Sequence, residues 1–310
     1  MLKFTARRVK RVRLHMKRIS NNPKMHHFVP RSYLERFTDK EGFLHVFDRS
    51  SRSFRRQRPK EVMKINSYYR QEWAPPGVDP NIIEKTLGEW LETNAKDSID
   101  RLIQCPAELT EDDTATLLTY IEMQRIRVPR QSETAKELMR ATILRLAPPD
   151  AAAEIHAGKV LLTMKDSARF DYMRMIIGEL HPWFGRMEWE IFEAESGSAF
   201  VTTDSPVSLY NPEIPPPAEP GLALARTFVF FPLSSRYALL MRHPEFRTDS
   251  DISAVTVLPD PPDEDSKLSI IHGAVWNSRI VNNFNWKMVQ LSDHLVVGES
   301  KDVLKACNSS

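Results

Sequence analysis

Apolar residues recur at helical spacing through the middle of the chain and at strand spacing near its end. In residues 79–104 they fall mostly three or four positions apart, which predicts a long amphipathic helix with Asp79 as its N-cap. A second helix is predicted over 110–127, where Pro129 should stop or kink it. Further helices are predicted at 132–146 and 165–180.

Strand patterns dominate the last third of the chain. Residues 188–194 alternate apolar and polar side chains, and the apolar run 199–203 follows after a turn. Two apolar runs within 227–241, separated by a short Ser-Ser-Arg break, predict a hairpin. We expect residues 269–281 to return to helix and residues 287–291 to form a strand.

Shorter elements precede the helical section. Residues 26–37 predict a turn and a helix, and the strand 43–47 with an extended piece around Phe54 predicts a small hairpin. A helical middle section packed with antiparallel strands, concentrated in the C-terminal third, indicates an α+β fold rather than a doubly wound one. We expect residues 25–310 to form a single globular domain, with a conceivable sub-boundary near 182–188 that no flexible linker marks.

Charge is unevenly distributed along the chain. Residues 1–24 carry nine Lys and Arg and no acid, so subtracting them from the net charge of +2 leaves −7 for the remainder. A basic arm of this kind attracts nucleic acid or anionic lipid. A disordered extension without a role, an upstream-start artefact and an organellar presequence are the alternatives.

Composition narrows the class of protein. The chain is 41% hydrophobic and 27% charged, which is ordinary for a globular protein. Its two cysteines, Cys105 and Cys307, lie far apart, so neither a disulfide framework nor a cluster of zinc-binding thiolates is expected and a cytoplasmic location fits. No apolar stretch approaches the ~18 residues of a membrane span, and we expect neither export nor membrane insertion.

The tandem His26-His27 is the first candidate for chemistry. Histidine is the usual general base near neutral pH and a usual ligand of divalent metals. Adjacent side chains point in different directions, so one of the two is expected to serve a site. The alternative is a capping or core histidine that is hydrogen-bonded to a backbone carbonyl.

Gln124 and Arg127 form the second candidate pair. They stand three residues apart near a predicted helix end, so they share one helix face. A guanidinium beside a carboxamide suits a phosphate or a carboxylate. The alternative is a solvated helix end whose basic residues interact with the helix dipole.

The segment Thr202 to Val207 is the third candidate. A hydrophobic strand runs directly into Thr203, Asp204 and Ser205. Asp204 would bind a divalent metal together with His27 or orient a histidine, while Thr203 and Ser205 would donate hydrogen bonds to a substrate. The alternative is an Asx turn closed by Pro206.

These segments together resemble the uncharacterised domain-of-unknown-function family 4238. The resemblance covers about residues 25–290, and the ordered series of motifs is more specific than any one motif. The resemblance implies a shared fold and a shared pocket but brings no reaction, substrate or cofactor. The matching positions are His26 to Phe37, Glu84 and Glu92, Gln124, Arg127 and Pro129, Thr202 to Val207, Phe231 to Leu233, and Asn277 to Arg279.

Three hypotheses for function follow. The first is a phosphodiester-hydrolysing enzyme, most simply a nuclease, with His27 or His26 as base or metal ligand and Asp204 as its partner. Gln124 and Arg127 would hold the phosphate, and the basic arm would attract the polyanion. The second is a non-catalytic protein that binds nucleic acid or another ligand with the same residues. The third is a structural protein whose His and Asp side chains form a buried hydrogen-bond network.

Overall fold

Three β-sheets and a block of helices make up the part of the chain that the computed structural model describes, which is residues 25–164, 167–249, 251–261 and 268–308. The predicted basic arm at 1–24 lies outside the described residues. The strands are β1 (Met25–His27), β2 (Leu44–Asp48), β3 (Ser53–Gln57), β4 (Lys64–Asn66), β5 (Glu188–Ala194), β6 (Thr202–Thr203), β7 (Ser208–Tyr210), β8 (Phe228–Pro232), β9 (Tyr237–Arg242), β10 (Ser269–Trp276) and β11 (Leu295–Gly298).

The helices occupy the middle of the chain and its C-terminal end. They are α1 (Arg31–Leu34), α2 (Ile82–Thr86), α3 (Thr93–Gln104), α4 (Glu111–Ile126), α5 (Pro129–Leu146), α6 (Pro149–His156), α7 (Ala168–Ile176), α8 (His181–Arg186), α9 (Glu245–Thr248), α10 (Ser278–Leu291) and α11 (Lys301–Asn308). A π-helical segment, Leu87–Glu92, joins α2 to α3, so one continuous helix runs through all three. The predicted long helix is therefore confirmed, with a wider turn in its middle.

The ends of the central helices follow local sequence. The Thr110 side chain accepts the N–H of Asp113, whose carboxylate accepts the N–H of Thr110, and this capping box starts α4. Helix α4 ends before Pro129, which begins α5 instead, as its fixed φ and missing N–H favour. The predicted N-cap at Asp79 is wrong, because Asn81 takes that position and Asp79 accepts the Asn81 N–H.

The strands form two larger sheets and one small pair. One sheet has the order β10-β5-β9-β8-β7 and is antiparallel except for the β10-β5 pair, and the other has the order β3-β2-β11-β6. Strands β1 and β4 pair antiparallel with His27 opposite Lys64. The predicted hairpins, now β2-β3 and β8-β9, are confirmed. The α+β class, with strands concentrated towards the C-terminus, is also confirmed.

Two predictions near the C-terminus are wrong. Residues 269–276 form strand β10 rather than helix, because they pair with β5 in a parallel register that local sequence does not encode. Residues 287–291 belong to α10, which begins where the Asn277 side chain accepts the N–H of Ile280. The predicted strand 199–203 is shortened to its last two residues.

Tyr33 joins the N-terminal segment to the C-terminal sheets. Its hydroxyl donates to the carbonyl of Pro232 and shares a second hydrogen bond with Thr202, both at 2.7 Å, and its ring stacks on Phe231. The main cluster of buried apolar side chains accordingly draws on positions from Phe28 to Val297. No helix in the described part of the chain is long and apolar enough to cross a membrane.

Replacing Tyr33 by phenylalanine tests this connection. Tyr33→Phe keeps the ring but leaves the buried Pro232 carbonyl and Thr202 hydroxyl with one partner fewer. We expect a loss of about 1–3 kcal/mol in the free energy of unfolding, measured by urea denaturation. Tyr237→Phe, at a partly exposed position, is the control. A loss equal to the control's would contradict the role assigned to the hydroxyl.

Candidate functional site

Arg127 is a fully buried cation at the C-terminal end of α4. Its side chain is 1% exposed, and its Nη1 donates to Oε1 of Glu92 at 3.0 Å. The Nε and Nη2 atoms have no hydrogen-bond partner among the described residues. A guanidinium has five N–H donors, and leaving buried donors unpaired is costly. Arg127 is therefore a positive group with unused capacity for an acceptor such as an anion.

Gln124 lies one helical turn before Arg127 and is also completely buried. Neither its oxygen nor its nitrogen makes a well-aligned hydrogen bond within the described residues. Burial raises the pKa of the Tyr120 hydroxyl, and Gln124 lies close enough to that hydroxyl to lower its pKa in part. The carboxamide and the guanidinium thus form a buried polar pair on one face of α4, as their spacing predicts.

Two glutamates of the helix that runs through α2 and the π-helical segment lie beside Arg127. The pKa of Glu84 is raised from 4.5 to about 7, chiefly by burial and also by the negative charge of Glu92. The charge of Arg127 and the backbone N–H of His27 act in the opposite direction. Glu84 therefore exchanges its proton near neutral pH, which is the range required of a general acid or base.

The π-helical turn explains how the two glutamates reach one side of the helix. Positions 84 and 92 are eight residues apart, which corresponds to about 80° of rotation in an ideal α-helix. A π turn with i to i+5 hydrogen bonds contains more residues than an α-helical turn, so the rotation per residue is smaller. The π-helical segment therefore reduces the angle between the Glu84 and Glu92 side chains.

His27 contributes the third titratable group. Burial is the largest cause that lowers its pKa, and the positive charges of Lys64 and Arg127 lower it further. Hydrogen bonds to the backbone of Pro59 and Lys60 oppose the shift. The imidazole is thus held neutral at pH 7. Its Nε2 is buried and has no hydrogen-bond partner in the described part of the chain. A neutral imidazole with an unused nitrogen has the properties of a general base.

Tyr69 and Tyr120 complete the surroundings of Arg127. Burial raises the pKa of both hydroxyls, and the charge of Arg127 opposes the shift in each case. Both stay protonated at neutral pH and can act as hydrogen-bond donors. The Tyr69 hydroxyl has no hydrogen-bond partner among the described residues. Tyr69 was missed at the sequence level, since nothing in its neighbourhood marks it as different from Tyr68.

The seven residues form one electrostatically coupled group, called here the Arg127 cluster. The charge of Arg127 shifts the pKa values of four members, which are His27, Tyr69, Glu84 and Tyr120. Some members are partly exposed, whereas others are buried. The cluster thus has a polar floor and an edge that solvent reaches. The partly exposed members are His27, Glu84 and Glu92, and the buried ones are Tyr69, Tyr120, Gln124 and Arg127.

His26 lies beside the cluster with its ring already engaged. Its Nδ1 accepts the backbone N–H of Tyr69 at 2.8 Å, its ring stacks on the Tyr69 ring, and its side chain is 1% exposed. Successive residues of a strand point to opposite faces, so His26 and His27 differ in environment as expected. His26 positions the Tyr69 backbone, and His27 is the histidine that enters the cluster.

Asp204 is held in a different part of the fold. Its carboxylate accepts the backbone N–H groups of Asp293, His294 and Leu295 at 3.0, 2.6 and 2.8 Å. Burial raises its pKa and these three hydrogen bonds lower it. The negative charge of Asp293 also raises this pKa. Among the described residues, the carboxylate of Asp204 hydrogen-bonds to these three residues, and none of them belongs to the Arg127 cluster.

Thr203 and Ser205 lie next to Asp204 and outside the Arg127 cluster. Thr203 accepts the N–H of Ser205 through its hydroxyl, and the Ser205 hydroxyl is buried without a hydrogen-bond partner among the described residues. In the described part of the chain no three His, Cys, Asp or Glu side chains converge in a way that would hold a metal ion. The predicted pair of metal ligands, His27 and Asp204, belongs to no such group.

Removing the Asp204 carboxylate tests whether it holds the start of β11. Asp204→Ala leaves three N–H groups without their acceptor, so we expect a loss of about 2–4 kcal/mol in the free energy of unfolding. Urea denaturation measures it, with Asp293→Ala as the more exposed control. A variant as stable as Asp293→Ala would contradict the structural role assigned to the Asp204 carboxylate.

Comparison with known proteins adds a family but no reaction. The model of the family described as "Protein of unknown function (DUF4238)" matches residues 25–302. No curated protein and no solved structure matches the chain. The match spans both the Arg127 cluster and the Asp204 segment, and it agrees with the resemblance drawn from the motifs. The chain belongs to the DUF4238 family.

Proposed function

We propose that this protein hydrolyses phosphodiesters, with nucleic acid as the substrate, and that the Arg127 cluster is its active site. The observation that carries the proposal is the buried Arg127 guanidinium, which pairs with Glu92 through one nitrogen and keeps two nitrogens unpaired among the described residues. That capacity lies beside one carboxyl whose pKa of about 7 suits proton transfer near neutral pH, and beside one imidazole whose pKa is lowered by burial so that the ring is neutral.

Arg127 and Gln124 would bind the phosphate. The guanidinium fork matches two oxygens of a phosphate, and a site of low dielectric strengthens that contact. As the phosphorus gains a fifth oxygen, negative charge builds up on the non-bridging oxygens, and fixed donors stabilise it most when they need not reorganise. Burial of both side chains favours this kind of preorganisation.

His27 and Glu84 would move the protons. Neutral His27 accepts a proton from the attacking water, whose oxygen forms the new bond to phosphorus. Protonated Glu84 donates its proton to the departing alcohol oxygen as the phosphorus–oxygen bond breaks. One water is consumed, and one monoester and one alcohol are produced. The nine positive charges of residues 1–24 would raise the local concentration of a polyanionic substrate.

Binding without hydrolysis is the alternative that the same residues allow. A site that only binds a phosphate requires Arg127 and Gln124, but it does not require a carboxyl that titrates near pH 7. The pKa of Glu84 therefore favours the enzyme over the binding module.

An activity assay with Glu84→Gln tests the enzyme directly. We expect cleavage of end-labelled single-stranded DNA or RNA, with a pH profile that changes near pH 7 because Glu84 titrates there. Glu84→Gln should lower the rate about 100- to 10,000-fold and remove that inflection. Glu89→Gln, an exposed glutamate of the same helix, should behave as the unmodified protein. Reactions with and without added Mg²⁺ test for a metal requirement.

The possible results separate the hypotheses. Binding of the oligonucleotide without cleavage, at every pH and in Mg²⁺, would replace the enzyme by the binding protein. Absence of both binding and cleavage would remove the proposed function altogether.

The raised pKa of Glu84 also predicts how stability depends on pH. A carboxyl with a pKa near 7 in the folded protein and 4.5 when unfolded holds its proton more tightly when folded. Its contribution to stability is therefore lost as pH rises from about 4.5 to about 7. Glu84→Gln should be more stable than the unmodified protein at pH 8, by about 1–2 kcal/mol after allowance for partial exposure.

Urea denaturation at pH 5 and pH 8 measures this difference. The advantage of Glu84→Gln should shrink at pH 5, whereas the effect of Glu89→Gln should not depend on pH. Equal effects of Glu84→Gln at both pH values would show that the carboxyl is not held in its protonated form.

A further inference from the structure

An apolar groove of about 550 Å³ lies along the two helices that carry most of the Arg127 cluster. It is bounded by the loop after β4, the helix that contains the π-helical segment, helix α4 and helix α7. Its volume is in the range of small-molecule sites. Its lining includes Trp73, Trp90, Leu87, Met123 and Phe170. The reaction assigned to the Arg127 cluster makes no use of these side chains.

The groove and the cluster are built from the same segments. Along the helix, Ile83 lines the groove and Glu84 belongs to the cluster, and the same change occurs between Leu91 and Glu92. In α4, Met123 lines the groove and Gln124 belongs to the cluster. Neighbouring Cα atoms are about 3.8 Å apart, so apolar groove and polar cluster occupy adjacent faces of both helices.

The loop after β4 makes the same connection. Tyr69 belongs to the cluster, and Gln71 and Trp73 line the groove. Arg169, next to the groove residue Phe170, donates to the carbonyl of Tyr68 and lies over its ring with 4.0 Å between Cζ and the ring centroid. This contact fixes the loop against α7. The loop that carries Tyr69 of the cluster therefore also carries Trp73 of the groove.

The aromatic residues indicate what that uncharged part is. Trp73 is 60% exposed and Trp90 is 54% exposed, so two indole rings border the groove without being covered by protein. An acyl chain gains most from closed apolar walls that exclude water on all sides. A planar heterocycle stacks on an open indole face and leaves its polar edge in water.

We propose that the groove binds nucleobases, so that the substrate is single-stranded nucleic acid with at least one base stacked on Trp73 or Trp90 while its phosphate lies at Arg127. This proposal rests on the function proposed for the Arg127 cluster and adds the class of substrate. A duplex keeps its bases stacked on one another, so it does not present them to the groove. Base stacking on aromatic side chains depends little on sequence.

Binding by two probes tests the proposal. The probes are a fluorescently labelled oligothymidylate and an oligomer of the same length made of abasic deoxyribose phosphates. Fluorescence anisotropy is measured on the full chain carrying Glu84→Gln, so that cleavage does not interfere. In this background Trp73→Leu and Trp90→Leu should each weaken binding of the oligothymidylate about 5- to 150-fold. Binding of the abasic oligomer should not change.

Two further variants exclude trivial explanations. Trp73→Phe retains an aromatic face and should restore most of the affinity that Trp73→Leu loses. Trp286→Leu, a partly exposed tryptophan of α10 outside the groove, should bind both probes as the parent does. Thermal unfolding of each variant confirms that the fold is retained.

Each other outcome has one meaning. If the Trp variants bind oligothymidylate as the parent does while Arg127→Lys weakens binding of both probes, the groove does not bind bases and the function of the cluster stands. If neither probe binds the parent, the proposed function fails and this inference with it. If sedimentation finds a dimer that Trp73→Leu dissociates, the groove is a contact between two copies of the chain, and base binding is overturned.

Discussion

The burial of the Arg127 guanidinium is the constraint on which the rest of the site depends. An ionised group removed from water is costly unless a charge and hydrogen bonds compensate for it. Glu92 supplies one such contact, and that contact joins the C-terminal end of α4 to the helix that carries both glutamates. Glu92 lies in the wide π-helical turn, and Arg127 lies at the end of α4 just before Pro129, so these two features place the side chains that meet.

Burial and the same charge together set the protonation of the groups around Arg127. Burial lowers the pKa of His27 and Arg127 lowers it further, whereas burial raises the pKa of Glu84, Arg127 opposes that rise, and the resulting pKa is about 7. Desolvation is the largest cause in both cases, and it acts in opposite directions because it disfavours the charged form of each. Two groups with different protonation states at one pH are the arrangement that acid–base catalysis uses.

Sequence could predict the elements whose determinants are local. Thr110 and Asp113 specify a helix start by themselves, and the predicted β2-β3 hairpin has its alternation and turn within 15 residues. Strand β10 was missed because its partner β5 lies far earlier in the chain and most of its residues are exposed on both faces. Part of helix α10 was misassigned because residues 287–291 form a short, mostly apolar run, and periodicity alone cannot tell whether such a run is helix or strand.

The candidate site likewise contains residues that local sequence could predict and residues that it could not. Gln124 and Arg127 could be paired from their spacing on one helix, and Glu84 and Glu92 from the family motifs. Tyr69 could not, because its place depends on how the loop after β4 packs against His26. Asp204 was grouped with the histidines at the sequence level, but its hydrogen bonds are decided by β11, about 90 residues later.

Buried polar groups elsewhere in the fold provide an internal comparison for the Arg127 cluster. Asp204 accepts three backbone N–H groups, and the fully buried Glu122 accepts those of Gly178 and Leu180 and contacts His181. These two carboxylates are satisfied in the way that structural groups are.

The Arg127 cluster departs from that pattern within one fold. Arg127, Gln124, His27 and Tyr69 each keep at least one buried polar atom without a hydrogen-bond partner among the described residues, and all four lie together. A purely structural network would be expected to satisfy these atoms, because each one left unpaired costs about 1–3 kcal/mol. Unpaired donors grouped around one buried cation are what a preorganised binding site requires, since donors already directed at a ligand need not reorganise when it arrives.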